Sequence, residues 1–170
     1  GDSRLTKLER EMIAVVVSAM SGTTNQLVEW TRGAAGPDLH GVDYDDEYDV
    51  VVASGEQVTA GLLALALRRK GLKARSWLGW QLKLSTDEAH GKARITGCDN
   101  PEFIRSVDSG EIAVVAGFQG VDENGRVSTL GRGGSDTSGS YFAAKLAARR
   151  LEIWTDVPGM FSANPRDVPD

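Results

Sequence analysis

Short apolar runs of strand length recur along this chain. The clearest are Met12–Val17, Ile112–Ala116 and Leu151–Trp154. Runs of this kind predict strands that are buried on both faces, as in a parallel sheet covered by helices. Three further strands are predicted, at Lys73–Leu78, at Arg94–Thr96 and over 127–130.

Helical patterns lie between these runs. Thr23 or Thr24 is expected to cap a helix that reaches about Trp30. Ser54-Gly55-Glu56 is expected to begin a long helix that stops at Gly71. Two more helices are predicted, one starting at Asn100-Pro101 and one over Thr137–Arg149. Strands that alternate with helices predict an α/β sandwich with a mainly parallel sheet.

Four loops rich in small residues follow predicted strands. They are Ser18–Gly22, Gly117–Gly120, Gly131–Asp136 and Thr155–Gly159. In open α/β sheets, ligands bind outside the carboxyl ends of the strands. We therefore expect these loops to meet at one edge of the sheet and to form a binding site there.

Composition limits the function classes. The chain has 170 residues, 19 of them basic and 24 acidic, and a net charge of -5. This balance gives no electrostatic footprint for nucleic acid or an anionic membrane, and no apolar run approaches the roughly 20 residues of a membrane span. The single cysteine, Cys98, cannot form an internal disulfide, which is typical of the reducing cytoplasm. His90 and Cys98 lack partners at metal-ligand spacing, so no metal site is predicted.

The segment 131–136, Gly-Arg-Gly-Gly-Ser-Asp, carries the strongest local signal. Glycines before a helix let backbone N–H groups approach an anion, and the helix N-terminus favours negative charge. Arg132 can hold a carboxylate or phosphate through two parallel hydrogen bonds. The alternative is that Ser135 and Asp136 only cap the helix. The segment is neither a Walker A loop nor a dinucleotide fingerprint, which argues against an oxidoreductase.

The other loops carry weaker signals. Glu56 would accept a substrate ammonium group or would only complement the helix dipole. Thr155 and Asp156 would contact a nucleotide or form a plain turn. Arg166 would reach a phosphate or be a solvated loop charge.

Six segments in one order resemble bacterial aspartate kinases. They are Val-Val-Val-Ser-Ala-Met-Ser-Gly-x-Thr-Asn (15–25), Ala-Ser-Gly-Glu (53–56), Thr-x-x-x-His-Gly-x-Ala-Arg-Ile (86–95), Val-Ala-Gly-Phe-Gln-Gly (115–120), Thr-Leu-Gly-Arg-Gly-Gly-Ser-Asp (129–136) and Trp-Thr-Asp-Val-Pro-Gly (154–159). The resemblance implies the amino acid kinase fold, a three-layer α/β/α sandwich. It also implies ATP-dependent phosphorylation of the aspartate side chain, the first step towards lysine, threonine and methionine.

The resemblance also implies roles for individual residues. The aspartate site would be lined by Ser18, Ala19, Thr24, Glu56, Phe118, Arg132 and Ser135. Glu56 would receive the amino group and Arg132 would bind the α-carboxylate. Asp136, Arg132 and Ser135 would organise phosphoryl transfer. The nucleotide, bound with Mg²⁺, would contact Gly133, Gly134, Thr155, Asp156, Phe161 and Arg166. The family often has tyrosine where this chain has Phe161.

The resemblance covers part of the family's catalytic domain. Nothing in residues 1–11 matches the Lys-Phe-Gly-Gly strand with which that domain begins. The chain ends before the family's second nucleotide-contacting lysine and before the regulatory ACT domains. Residues 1–170 are therefore expected to form a partial catalytic domain, as a homo-oligomer or paired with a fuller aspartate kinase subunit. The last third most resembles forms fused to diaminopimelate decarboxylase.

Two alternatives remain open from the sequence. One is a non-catalytic piece that binds aspartate or pairs with another subunit. The other is an amino acid kinase relative that acts on glutamate, acetylglutamate or a nucleotide. A carboxylate nucleophile is already ionised at pH 7, so the absence of a Ser-His-Asp or Cys-His set is compatible with phosphoryl transfer to aspartate.

Overall fold

A three-stranded parallel sheet forms the centre of the protein. The structure is a computed structural model that describes residues 12–36 and 46–155. Strand β5 (Ile112–Ala116) lies in the middle, between β1 (Ala14–Val17) and β2 (Ala74–Trp77). Both pairings are parallel, and Val15 lies opposite Val114 in the register of β1 and β5. The three predicted strands are confirmed as parallel partners. Ala113–Ala116 of β5 are buried, whereas Met12 and Ile13, which the sequence placed in the first strand, are exposed.

Alternate residues of β5 point into two different hydrophobic clusters. Val114 and Ala116 pack with Ala60 and Ala64 of helix α2 (Asp46–Arg69). Ala113 and Val115 belong to the opposite cluster, with residues of helices α4 (Pro101–Asp108) and α5 (Gly134–Lys145). A strand alternates its side chains between two faces, so β5 is covered by helices on both. The result is the predicted α/β/α sandwich.

A second sheet lies beside the first. Its order is β4 (Ile95–Cys98), β3 (Leu84–Thr86), β6 (Gln119–Val121) and β7 (Val127–Thr129). The β3–β4 and β6–β7 pairs are antiparallel, and β3 pairs with β6 in parallel. The sequence indicated β4 and β7 but not β3, and it treated residues 119 and 120 of β6 as loop. These strands are too short to show a period of two in the sequence.

The remaining helices are α1 (Thr23–Ala35), which packs against α2, and the one-turn α3 (Gly79–Leu82). Helix α4 begins as predicted: the Asn100 side chain accepts a hydrogen bond of 2.9 Å from the Phe103 amide, and Pro101 occupies the first turn. Helix α5 begins at Gly134, three residues before the predicted Thr137, and ends at Lys145 rather than Arg149.

The predicted strand over Leu151–Trp154 is wrong. These residues form no strand, and Leu151, Ile153 and Trp154 are all exposed. An apolar run becomes a strand only where a neighbouring strand supplies its backbone partners, and in the described residues none pairs with this segment.

Helix α2 is longer and more apolar than the short runs in the sequence indicated. It has 24 residues and a mean hydropathy of 1.7 over its most apolar part, enough by length and composition to span a bilayer. No uninterrupted apolar run of this length occurs in the sequence, because Glu56 divides the apolar residues of the helix. In the structure the helix packs on the central sheet and buries both Asp49 and Glu56. Its other face exposes Val58, Leu62 and Leu65, so the helix covers one side of the sheet.

Candidate functional site

The loops after β1 and β5 meet the start of α5 at one edge of the central sheet. The Gly117 amide donates a hydrogen bond of 3.0 Å to the carbonyl of Val17. A Cβ atom at Gly117 would lie 3.0 Å from that carbonyl oxygen and 3.1 Å from the Cα of Ser135. Only glycine allows three backbone segments to approach this closely. Three of the four predicted loops therefore come together.

The loop after β1 holds three of the predicted substrate residues. Ser18 is exposed, while Ala19 and Thr24 are half-buried. Helix α1 is capped by Gly22 in the left-handed conformation, with φ of 79°, and no side chain bonds to its first turn. The prediction that Thr23 or Thr24 caps the helix is therefore wrong. The first amides of α1 lack intrahelical partners, as at any helix start.

Glu56 does not lie at the head of a helix, as the sequence suggested. It lies in the interior of α2, which begins at Asp46. Gly55 explains the difference: a Cβ there would lie 2.8 Å from the Cβ of Ala19. The glycine marks a close approach of the β1 loop to the helix, not a helix start. This contact brings the backbone of Ala19 to the Glu56 side chain.

The Glu56 carboxylate is buried and only half satisfied. One oxygen, Oε1, accepts a hydrogen bond of 2.9 Å from the Ala19 amide. The other, Oε2, is buried and has no hydrogen-bond partner among residues 12–36 and 46–155. Burial raises the pKa of this carboxyl, and the Ala19 hydrogen bond partly opposes the rise. A buried anionic oxygen without a partner is costly, so its presence suits a cationic ligand.

Phe118 occupies a strained position between the loops. Its φ of 68° places a non-glycine residue in the left-handed region, which costs about 1–3 kcal/mol and is concentrated at functional sites. The Phe118 amide donates to the buried Ser138 hydroxyl at 3.0 Å, and its carbonyl accepts from Leu130 at 2.8 Å. The strand pairing of β6 and β7 thus fixes Phe118 beside residues 131–136, which we call the glycine segment.

The glycine segment packs directly on Phe118. A Cβ at Gly134 would lie 2.6 Å from Phe118 Cδ2, so no side chain fits there. The N-cap of α5 is Gly133, with φ of 71° and no side-chain cap bond. The alternative in which Ser135 and Asp136 only cap the helix is therefore not what the structure has. Their backbone amides lie in the first helical turn, where helices bind anions.

Two charged side chains project from this segment. Arg132 and Asp136 are both exposed, and Ser135 is half-buried. Within the ranges 12–36 and 46–155, Arg132 forms no ion pair or side-chain hydrogen bond. A guanidinium beside free helix amides can bind the carboxylate or phosphate of a ligand.

The nucleotide side is described only in part. Thr155 is exposed and follows an irregular segment, not the strand that the sequence predicted. Asp156, Phe161 and Arg166 lie outside the described residues. Among the residues that are described, no group of His, Cys, Asp or Glu is arranged to hold a metal ion. The predicted roles of all these residues stay predictions.

Sequence reasoning missed two buried polar residues near the site. Asp49 lies in the first turn of α2 and is fully buried. Gln119 is also buried; its Nε2 donates 2.9 Å to the Ala53 carbonyl, and its Oε1 accepts from Gln57. The sequence did carry a signal for Asp49. This acidic residue precedes Glu56 by two helical turns, so both residues lie on the same face of the helix.

Comparison with known proteins agrees with the fold. The sequence profile of the amino acid kinase family matches residues 3–170. The aspartate kinase of Pseudomonas fluorescens (strain SBW25) is 47% identical over 156 residues, covering 92% of this chain and 37% of the relative. The aspartokinase of Rickettsia conorii (strain ATCC VR-613 / Malish 7) is 44% identical over 162 residues, covering 95% of this chain and 40% of the relative. The chain thus spans about two fifths of the length of these curated relatives.

Solved structures give the same result. Aspartokinase III of E. coli, in complex with aspartate and ADP, superposes with a TM-score of 0.74 at 25% identity. The match covers 92% of this chain and 45% of that one. The aspartate kinase of Synechocystis superposes with a TM-score of 0.68 at 38% identity, covering 93% of this chain and 25% of that one. Over residues 3–170, this chain therefore belongs to the amino acid kinase family.

Proposed function

We propose that this chain forms the aspartate-binding part of an aspartate kinase. In the complete enzyme, the side-chain carboxylate of aspartate attacks the γ-phosphate of Mg-ATP. The carboxylate oxygen forms a bond to phosphorus, the bond from phosphorus to the bridging oxygen breaks, and ADP leaves. The product is 4-phospho-aspartate. The similarity to the aspartate kinases of Pseudomonas fluorescens and Rickettsia conorii, and to the complex of aspartokinase III with aspartate and ADP, supports this reaction.

The observation that carries the proposal is the orphaned Oε2 atom of Glu56. An ammonium group is the ligand that such a buried carboxylate oxygen accepts best, because a charge-assisted hydrogen bond compensates the cost of burial. Arg132 supplies the opposite charge from the glycine segment. An α-amino acid carries one ammonium and one carboxylate group, so it matches both.

The glycine segment suits the phosphoryl group. Phosphoryl transfer to a carboxylate brings two anions together, so the site must supply positive charge and alignment rather than a general base. The first-turn amides of α5, at Ser135 and Asp136, provide N–H donors, and Arg132 provides a permanent positive charge. Asp136 organises the transfer site and Thr155 belongs to the proposed nucleotide side, with Mg²⁺ arriving bound to ATP.

A coupled assay tests the proposal. The chain is mixed with L-aspartate and Mg-ATP, ADP release is recorded, and the acyl phosphate is trapped with hydroxylamine. ADP and hydroxamate should form together with L-aspartate and not with succinate, which lacks the ammonium group. Formation of ADP with succinate at an equal rate would contradict the role of Glu56.

A non-catalytic aspartate-binding piece is the second candidate. The observation that favours it is that the buried Glu56 carboxylate and the Arg132 side chain match an amino acid by themselves, without any nucleotide-side residue. It predicts that L-aspartate binds and raises the unfolding temperature while no ADP is released. A larger thermal shift with L-glutamate, acetylglutamate or a nucleoside monophosphate would instead indicate a family member with another substrate.

A further inference from the structure

We propose that Asp49 is a positioning residue that fixes the distance between Glu56 and the glycine segment, which carries Arg132. This inference rests on the proposed function, in which those two side chains bind the two ends of one amino acid. Asp49 is fully buried and belongs to the same helix as Glu56. It lies about two turns away on the same face, roughly 10 Å along the helix axis.

The Asp49 carboxylate collects hydrogen bonds from two segments that are distant in sequence. Its Oδ2 accepts 2.9 Å from the Thr129 amide, and its Oδ1 accepts from the Thr129 hydroxyl. The Gly91 amide lies 3.1 Å from both oxygens. A carboxylate that accepts several such bonds is held in one orientation and holds its donors in turn. Asp49 therefore ties the end of β7 to helix α2.

These donors lead directly into the glycine segment. Thr129 ends β7, two residues before Gly131, and its carbonyl accepts 2.8 Å from the Ala93 amide. A Cβ at Gly131 would lie 3.1 Å from the Gly91 carbonyl oxygen, so the two backbones are in close contact. The Gly131 carbonyl then accepts from the Gly134 amide at 3.0 Å. Arg132 lies within this turn, whose base Asp49 holds.

His90 adds a second connection. Its Nδ1 lies 2.8 Å from Asp49 Oδ2, and its Nε2 lies 3.5 Å from Asp122 Oδ2. Asp122 shapes the turn between β6 and β7 through hydrogen bonds from the Asn124 and Arg126 amides. The imidazole therefore links the first turn of α2 to the turn between β6 and β7. Phe118 precedes the same β6–β7 pair, so one buried network supports both loops.

The test combines aspartate affinity with amide exchange. Asp49→Asn keeps the shape and removes the charge, and Thr129→Val removes one donor. Both variants should bind L-aspartate roughly tenfold to hundredfold more weakly in calorimetry, because a misplaced supporting group of this kind commonly costs that factor. Thr129→Ser, which keeps the hydroxyl, should restore affinity. Ser128→Ala is the matched control: Ser128 is a buried neighbour on β7 that bonds Thr86 and not Asp49.

Asp49→Asn is also introduced into the Arg132→Lys variant. This double variant distinguishes a positioning role of Asp49 from a general effect on the fold. If Asp49 acts through the glycine segment, Asp49→Asn should weaken binding far less when Arg132 is already replaced. An equal loss in both backgrounds, or a loss of the same size with Ser128→Ala, would overturn the proposal.

Amide exchange gives a readout without ligand. In Asp49→Asn the amides of Gly91, Thr129 and 131–135 should exchange faster, while those of β1 and β5 should not change. Unchanged exchange at the glycine segment would also overturn the proposal. If the wild-type chain binds no L-aspartate, the proposed function fails, and the exchange result alone decides whether Asp49 holds the loop.

Discussion

Among single residues, Glu56 shows that a side chain placed for ligand binding lowers the stability of the ligand-free protein. Its carboxylate is buried, one oxygen has no hydrogen-bond partner in the part of the chain that the structure describes, and burial raises its pKa. A carboxyl whose pKa is raised on folding binds more protons in the folded state. It therefore supports stability below its unfolded pKa, near 4.5, and that contribution is lost as pH rises through the folded value. The ligand-free protein carries this cost at neutral pH.

Glu56→Gln should raise the free energy of unfolding of the ligand-free protein at neutral pH. Glutamine keeps the Oε1 acceptor for Ala19 and removes the buried charge, so the ligand-free variant should be more stable than the wild type at pH 7. The advantage should shrink as pH falls towards 4.5. L-Aspartate affinity should drop about tenfold to hundredfold with the loss of a charge-assisted bond. Urea unfolding at several pH values and calorimetry measure the two effects; a variant less stable at pH 7 with unchanged affinity would contradict both.

The residue types of the site were predictable from the sequence, but their environments were not. Arginine among glycines and a glutamate after Ser-Gly indicated anion and ammonium binding. Asp49, between Tyr48 and Val50, shares a helix face with Glu56, but nothing near it in the sequence identifies its hydrogen-bond donors. Its donors, Gly91 and Thr129, are brought to it only by the tertiary fold.

Among the elements, α2 carries the largest correction. Its apolar half and its end were predicted, but its start was placed at Ser54, although the helix begins at Asp46. Serine and glycine are weak helix formers, so their local preference favours a boundary. Packing overrides that preference, because the helix needs a small residue where the Ala19 loop crosses it.

Two glycines of α2 provide a matched pair of substitutions. Gly55→Ala should destabilise the fold by about 1–3 kcal/mol, because overpacking outweighs the better helix propensity of alanine. A Cβ at Gly61 meets no atom of the described residues within 4 Å, so Gly61→Ala should stabilise by roughly 0.5–1 kcal/mol. Urea unfolding measures both. If Gly55→Ala proves as stabilising as Gly61→Ala, the close approach of Ala19 is absent in solution.

At the scale of the whole molecule, the sequence predicted the layers better than the strand pairing. Both-face burial of β1 and β5 indicated a parallel sheet between helices, and the two clusters around β5 confirm it. The second sheet depends on pairings between distant short strands, such as Ser85 with Val121, which no local pattern encodes. The glycine segment follows β7 of that second sheet, so the site lies where the two sheets meet.

Binding of L-aspartate to the ¹⁵N-labelled chain, followed by NMR, tests the convergence of the loops most directly. The amides of Ala19, which bonds Glu56, and of Gly133–Ser135, which surround the anion site, should shift together with one dissociation constant. Succinate should leave Ala19 unshifted because it lacks an ammonium group. Saturation by L-aspartate that moves only one of the two groups would contradict a shared site.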